Sequence, residues 1–196
     1  MVLVDKGAPC SVVVSGAQPT WLERHAAEEL VHYLRLISGA ALPTVSGIPD
    51  GMNAVVIGRA DTNSVVAEAV HEGVLSLSED SPGWDGFVIK TARRGNRDVC
   101  FVGGSSDRGT LYAVYWLLEE VLGVGFFRDG EYIPRSDSVM LPESLHIVER
   151  PVFEHREDGL LAYSAKFWGW DEWKRELDWK AKRRANITWP FSGTGE

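Results

Sequence analysis

The chain has 196 residues, 44% of them hydrophobic and 24% charged, which suits a soluble globular protein with room for one domain of about 150 residues plus a piece of another. A net charge of −8 argues against nucleic acid as the main partner, because phosphate binding needs a basic footprint. No apolar run reaches the roughly 18 residues of a membrane span, so no membrane partner is expected. The start, MVLVDKGAP, shows no signal peptide, which leaves the compartment open: cytoplasmic, or secreted with a signal removed.

Cys10 to Val14 is a β-branched run and reads as a strand. Thr20-Trp21-Leu22-Glu23 then fits a capping box, a hydroxyl followed three residues later by a carboxylate. Ala26, Leu30, Tyr33, Leu34 and Ile37 form the apolar stripe of the helix it opens, and Gly39 stops it. Leu42 to Val45 reads as a short strand, and Ala54 to Ile57 as a buried one. Asp61 to Ser64 offers caps for a helix over Val65 to His71. Leu75 to Asp85 is polar, punctuated by Pro82 and Gly83, and reads as a loop.

Gly86 to Lys90 and Asp98 to Val102 are strands, joined as a hairpin by a turn containing Gly95-Asn96. Gly103-Gly104-Ser105-Ser106 leads into a helix from about Asp107 to Leu122 that is apolar on nearly every face and so belongs between layers. Gly125 to Phe127 and Glu131 to Ile133 flank an Asp129-Gly130 turn, and Leu145 to Val148 is a last short strand. Arg150-Pro151 looks like a hinge. Beyond it, Leu160 to Ser164 has strand character. A helix follows from Trp170, with Trp173, Leu177, Ala181 and Ala185 recurring every four residues, and Asn186 to Trp189 returns to strand character. Strand, helix, strand in that span is a βαβ unit. The expected fold is therefore α/β: a mixed sheet with packed helices over 1–148, then over 149–196 the hinge and first βαβ segment of an incomplete (β/α)8 barrel.

Two stretches resemble a known group. Gly103-Gly104-Ser105-Ser106-Asp107-Arg108-Gly109-Thr110-Leu111-Tyr112-Ala113-Val114-Tyr115, with Leu118-Glu119-Glu120 and Leu122 to Phe127, is similar to the small domain preceding the catalytic barrel of several glycoside hydrolases. α-Glucuronidases, α-N-acetylglucosaminidases and β-hexosaminidase relatives carry it. Trp168, Trp170, Trp173, Arg175 to Trp179, Ala181 and Asn186 resemble the start of the barrel in α-N-acetylglucosaminidases. Lys182-Arg183-Arg184 departs from that pattern, as do Thr188 and Trp189. The resemblance implies a carbohydrate substrate for the complete enzyme, and catalytic acids on later barrel strands. It implies no catalytic residue within this chain, no cofactor and no metal.

A barrel takes about 250 residues, and glycoside hydrolysis uses two carboxyl groups about 5 to 9.5 Å apart. The candidate substrate-binding residues are Trp168 and Trp170, whose rings could stack on sugar faces or plug the join between domains, and Ser192 and Glu196 in the loop after the second strand. Trp173 and Trp179 read as helix packing. Gly103 to Gly109 matches neither GxGxxG nor a Walker loop, so it reads as a turn before a buried helix rather than an anion cradle. His25 and His32 are seven residues apart, the wrong spacing for a helical metal pair. Lys180 to Arg184 reads as a cationic last helical turn, and Cys10 and Cys100 as free thiols. A free-standing carbohydrate-binding or interaction module is the alternative, and exposed apolar surface on an unfinished barrel would give self-association.

Overall fold

The computed structural model describes residues 1–157 and 167–188. In chain order the strands are β1 (Val2–Asp5), β2 (Ala8–Pro9), β3 (Ser11–Val14), β4 (Thr44–Val45), β5 (Asn53–Ile57), β6 (Phe87–Arg94), β7 (Arg97–Gly104), β8 (Gly125–Phe127), β9 (Gly130–Tyr132), β10 (Val139–Met140) and β11 (His146–Glu149). The helices are α1 (Trp21–Ser38), α2 (Ser64–His71), α3 (Asp107–Trp116) and α4 (Trp170–Lys182). Six strands form one mixed sheet in the order β11-β6-β7-β5-β3-β4. β4, β3, β5 and β7 are parallel neighbours, and β6 and β11 are antiparallel additions.

The β-branched runs have no polar alternation because both faces are covered. Val12, Val14, Ala54, Val56, Val99 and Phe101 point to the side of Val66 and Ala69 on α2. Their neighbours Val13, Val55, Ile57, Cys100 and Val102 point the other way, into the larger core with α1 and α3. Cys10 and Cys100 are free thiols, and burial pushes the Cys100 thiol up to about 12.

The expected cap of α1 is present. Glu23 N donates to Thr20 Oγ1 (3.2 Å) and Thr20 N to Glu23 Oε2 (2.8 Å), while Gly39 ends the helix at φ 79°. Thr20→Ala should cost about 1 kcal/mol in a urea titration. An unchanged midpoint would show that Glu23 alone holds this end.

Between β3 and β5 the chain diverges: α1 leaves β3 over one face and α2 leaves β5 over the other. That is where open α/β sheets form a ligand crevice. Here it is filled. Asn63 Nδ2 donates to Val14 O (3.3 Å) and Ile57 O (2.9 Å). A Cβ on Gly16 would sit 2.6 Å from Thr62 O. Glu23, fully buried, accepts from Thr62 Oγ1 (2.8 Å) and Arg59 Nε (3.1 Å).

Three features differ from the sequence reading. A small sheet ordered β10-β1-β2 ties the N-terminus to Val139–Met140; runs this short carry almost no periodic signal. The long helix ends in a π-helical turn, Leu117–Val121, before Gly123 at φ 74°. On α4 the apolar stripe is not the buried face: Glu176 and Lys180 are buried, while Leu177 is 39% exposed. Spacing located the stripe of α4 but not what covers it.

Candidate functional site

Asp85 sits in the loop before β6 with φ 47°, a left-handed conformation that Asp tolerates. It is 2% exposed. One oxygen accepts from Arg108 Nε of α3 (2.7 Å). The other accepts from Arg156 Nη2 (2.7 Å) and Asn186 Nδ2 (2.9 Å). Burial alone would raise its pKa, but the bonds from Arg108, Arg156 and Asn186 outweigh burial and hold the carboxyl below its ordinary range.

Arg156, after β11, and Asn186, after α4, also bind each other. Arg156 N donates to Asn186 Oδ1 (2.8 Å), and Asn186 N and Ile187 N donate to Arg156 O (3.0 and 3.2 Å). Glu157 and Ile187 form a parallel bridge. Arg156 Nε reaches Arg184 O (2.8 Å), and Tyr112 OH reaches Ala185 O (3.0 Å). The Arg156 guanidinium lies 5.6 Å from the Tyr112 ring centre. One carboxylate thus joins Arg108 of α3 to a residue before α4 and a residue after it.

Beside this hub lies a cavity of about 630 Å³ lined by Phe87, Tyr112, Trp116, Phe153, Trp179 and Asp85, with Glu149, His155 and Glu157 also on its wall. Apolar walls with a few polar groups suit a small ligand or a packed chain segment. A general acid needs a carboxyl whose pKa is raised toward working pH. Asp85 is shifted the opposite way and already accepts three bonds, so its arrangement is structural. Among the described residues, no group of three His, Cys, Asp or Glu side chains is placed to hold a metal ion. No helix among them is long and apolar enough to cross a membrane.

Of the sequence candidates, Trp168 and Trp170 lie elsewhere. Trp168 is half-buried and packs edge-on against Trp173 at 5.4 Å. Trp170 is 71% exposed at the start of α4. Neither lines the cavity. Ser192, Glu196, Trp189 and the Leu160 to Ser164 run fall outside the described residues. Trp179 Nε1 donates to Phe126 O (3.3 Å), as a packing residue should. The basic end of α4 does more than complement the helix dipole: Lys182 bonds Glu131 (2.7 Å), and Arg183 and Arg184 both bond Glu119.

The glycine run before α3 is set by close approach. A Cβ on Gly104 would lie 2.2 Å from Thr110 N, and one on Gly109 2.7 Å from Gly86 O. Ser106 Oγ caps the helix by accepting from Gly109 N (3.0 Å). Sequence reasoning named Asn186 as a strand start and, like Arg108, within a resemblance, gave neither a role here, and singled out neither Asp85 nor Arg156. The one local signal was Asp85 beside Gly86 at the end of a Pro- and Gly-punctuated loop, a pattern shared by ordinary turns.

Comparison with known proteins adds two findings. A family model described as the Glycosyl hydrolase family 67 N-terminus matches residues 5–117. Among solved structures, a family GH115 4-O-methyl-alpha-glucuronidase, described as specific for decorated arabinogalactans, is similar with TM-score 0.64 at 16% identity. The likeness covers 97% of this chain and 26% of that one, and at that identity it speaks to the fold. No curated protein matches by sequence.

Proposed function

Because the chain belongs to the Glycosyl hydrolase family 67 N-terminus family, we propose that it is the non-catalytic N-terminal part of a carbohydrate-active enzyme. Residues 1–148 buttress a catalytic barrel whose first βαβ segment lies in 149–196. The observation that supports this reading is the Asp85 hub, which ties Arg156 before α4 and Asn186 after it to Arg108 of α3. The parallel bridge between Glu157 and Ile187, either side of α4, supports a βαβ reading of that segment.

The chain spans about a quarter of the fold relative's length, 26%, so the reaction itself belongs to the proposal. Its class is hydrolysis of an α-linked glycoside by two carboxyl groups carried elsewhere in a longer protein. The tryptophan-rich segment favours an α-N-acetylglucosaminide, with Trp168, Trp170, Ser192 and Glu196 contributing to the barrel mouth. The fold relative, named as a glucuronidase, favours an α-glucuronide instead. Exposed Phe167, Trp170 and Leu177 on and before α4 fit a face that further chain covers, and by itself the 196-residue chain would self-associate through it.

The test is sugar release from aryl α-N-acetylglucosaminide and aryl α-glucuronide. The expected result is none from this chain with either substrate, and hydrolysis of one of them by a protein that carries the chain plus a barrel. Release by the 196-residue chain above a buffer control would overturn the non-catalytic reading. Failure of both substrates with the longer protein would overturn the glycoside assignment.

A further inference from the structure

We propose that α4 is held to the domain mainly by charge, with little apolar packing, and that rising ionic strength releases it while the Asp85 hub stays closed. This stands independently of the glycosidase reading. No apolar side chain of α4 is fully buried; the two buried residues are Glu176 and Lys180. Apart from Ala181 against the main core and Trp179 at Phe126, contact with the domain runs through a seam of complementary charge. Glu119, in the π-helical turn, receives Arg183 and Arg184 (3.0 Å for Arg184). Glu131 on β9 receives Lys182 at 2.7 Å and the Tyr33 hydroxyl at 2.9 Å. Arg128 grips Glu176 through two bonds of 3.1 Å each.

The seam and the hub differ in what holds them besides charge. At three of the four seam pairs one partner is open to water: Arg183 is 42% exposed, Arg128 47% and Glu131 33%, while Arg184 and Glu119 are 25% and 16% exposed. Salt screens such pairs, with a Debye length falling from about 10 Å at 0.1 M to about 3 Å at 1 M. The Asp85 carboxylate is 2% exposed, its Arg108 partner 48% and its Arg156 partner 21%, and the neutral amide of Asn186 completes the set. Backbone bonds from Asn186 and Ile187 to Arg156 O do not depend on charge. The hub therefore survives conditions that weaken the seam. α4 then departs as a unit, pivoting near Arg184, and exposes Phe126, Tyr33 and the wall of the hinge cavity that carries Trp179 and Arg183.

Hydrogen exchange on the 196-residue chain at 0.1 M and 1 M sodium chloride tests this. Amides of α4 should exchange about tenfold faster at 1 M, the sum of several weakened surface pairs, while the Asn186 and Ile187 amides keep their protection. A chain carrying both Glu119→Gln and Glu131→Gln should exchange fast along α4 already at 0.1 M and lose most of the salt response. Salt-independent exchange of α4 in the unaltered chain would overturn the proposal. So would α4 and the Asn186–Ile187 amides opening together, because seam and hub would then be one unit.

Discussion

Replacing Asp85 with alanine should destabilise the chain by roughly 3 kcal/mol, the lower end of what removing one partner from a buried charge cluster costs. The carboxylate is 2% exposed and takes bonds from three parts of the chain: Arg108 on α3, Arg156 after β11 and Asn186 after α4. Without it the Asn186 amide and the Arg156 guanidinium keep only their bonds to the chain around them. Arg108 is 48% exposed and recovers water, which places the value at the low end. Urea unfolding gives the number, and a loss under about 1 kcal/mol would show the cluster to be incidental.

The same residue sets a pH dependence. Its folded pKa lies below the unfolded value, so the native state binds fewer protons and the contribution is complete above the ordinary carboxylate range. It disappears as pH falls through that range toward the depressed folded value. Asp85→Asn should therefore narrow the stability gap to the unaltered chain in acid and leave it open at neutral pH. A gap constant across both would contradict the assignment.

Gly104→Ala should cost more than about 3 kcal/mol, at or beyond the upper end for overpacking. Its Cβ would meet Thr110 N at 2.2 Å, the Gly109 carbonyl carbon at 2.3 Å and Gly109 Cα at 2.7 Å. All three are backbone atoms, so no rotamer change relieves the overlap, and α3 must lift from β7. That helix carries Arg108 and Tyr112, so the hub should loosen with it. Gly130→Ala is the control, since its Cβ would meet nothing within 4 Å. Comparable melting temperatures for the two variants would rule out the close approach.

The parallel strands, α1 with its cap and the β6–β7 hairpin were legible because each is dictated locally, by β-branched runs, by Thr20 with Glu23, and by Gly95-Asn96. Likeness to a glycoside hydrolase N-terminal domain was legible from the run Gly103 to Phe127. The hub was not. Asp85, Arg108, Arg156 and Asn186 are far apart in sequence, and each alone is an ordinary polar residue. What joins them is a left-handed turn at Asp85 and the return of the chain after α4, both tertiary facts. The covered face of α4 was hidden for a related reason. Periodicity marks Trp173, Leu177 and Ala181 as one stripe, but the domain offers Glu119, Glu131 and Arg128 to the helix, so charged residues turn inward.

The central claim is that Asp85 energetically couples the domain to the segment that follows it. A double-mutant cycle of Asp85→Asn and Arg156→Gln, read by urea unfolding, measures this coupling. The account predicts an interaction energy of at least about 1.5 kcal/mol, as for a hydrogen bond between charged partners. Additive effects, with coupling near zero, would mean that the two residues merely adjoin and that the hinge segment is positioned by something else.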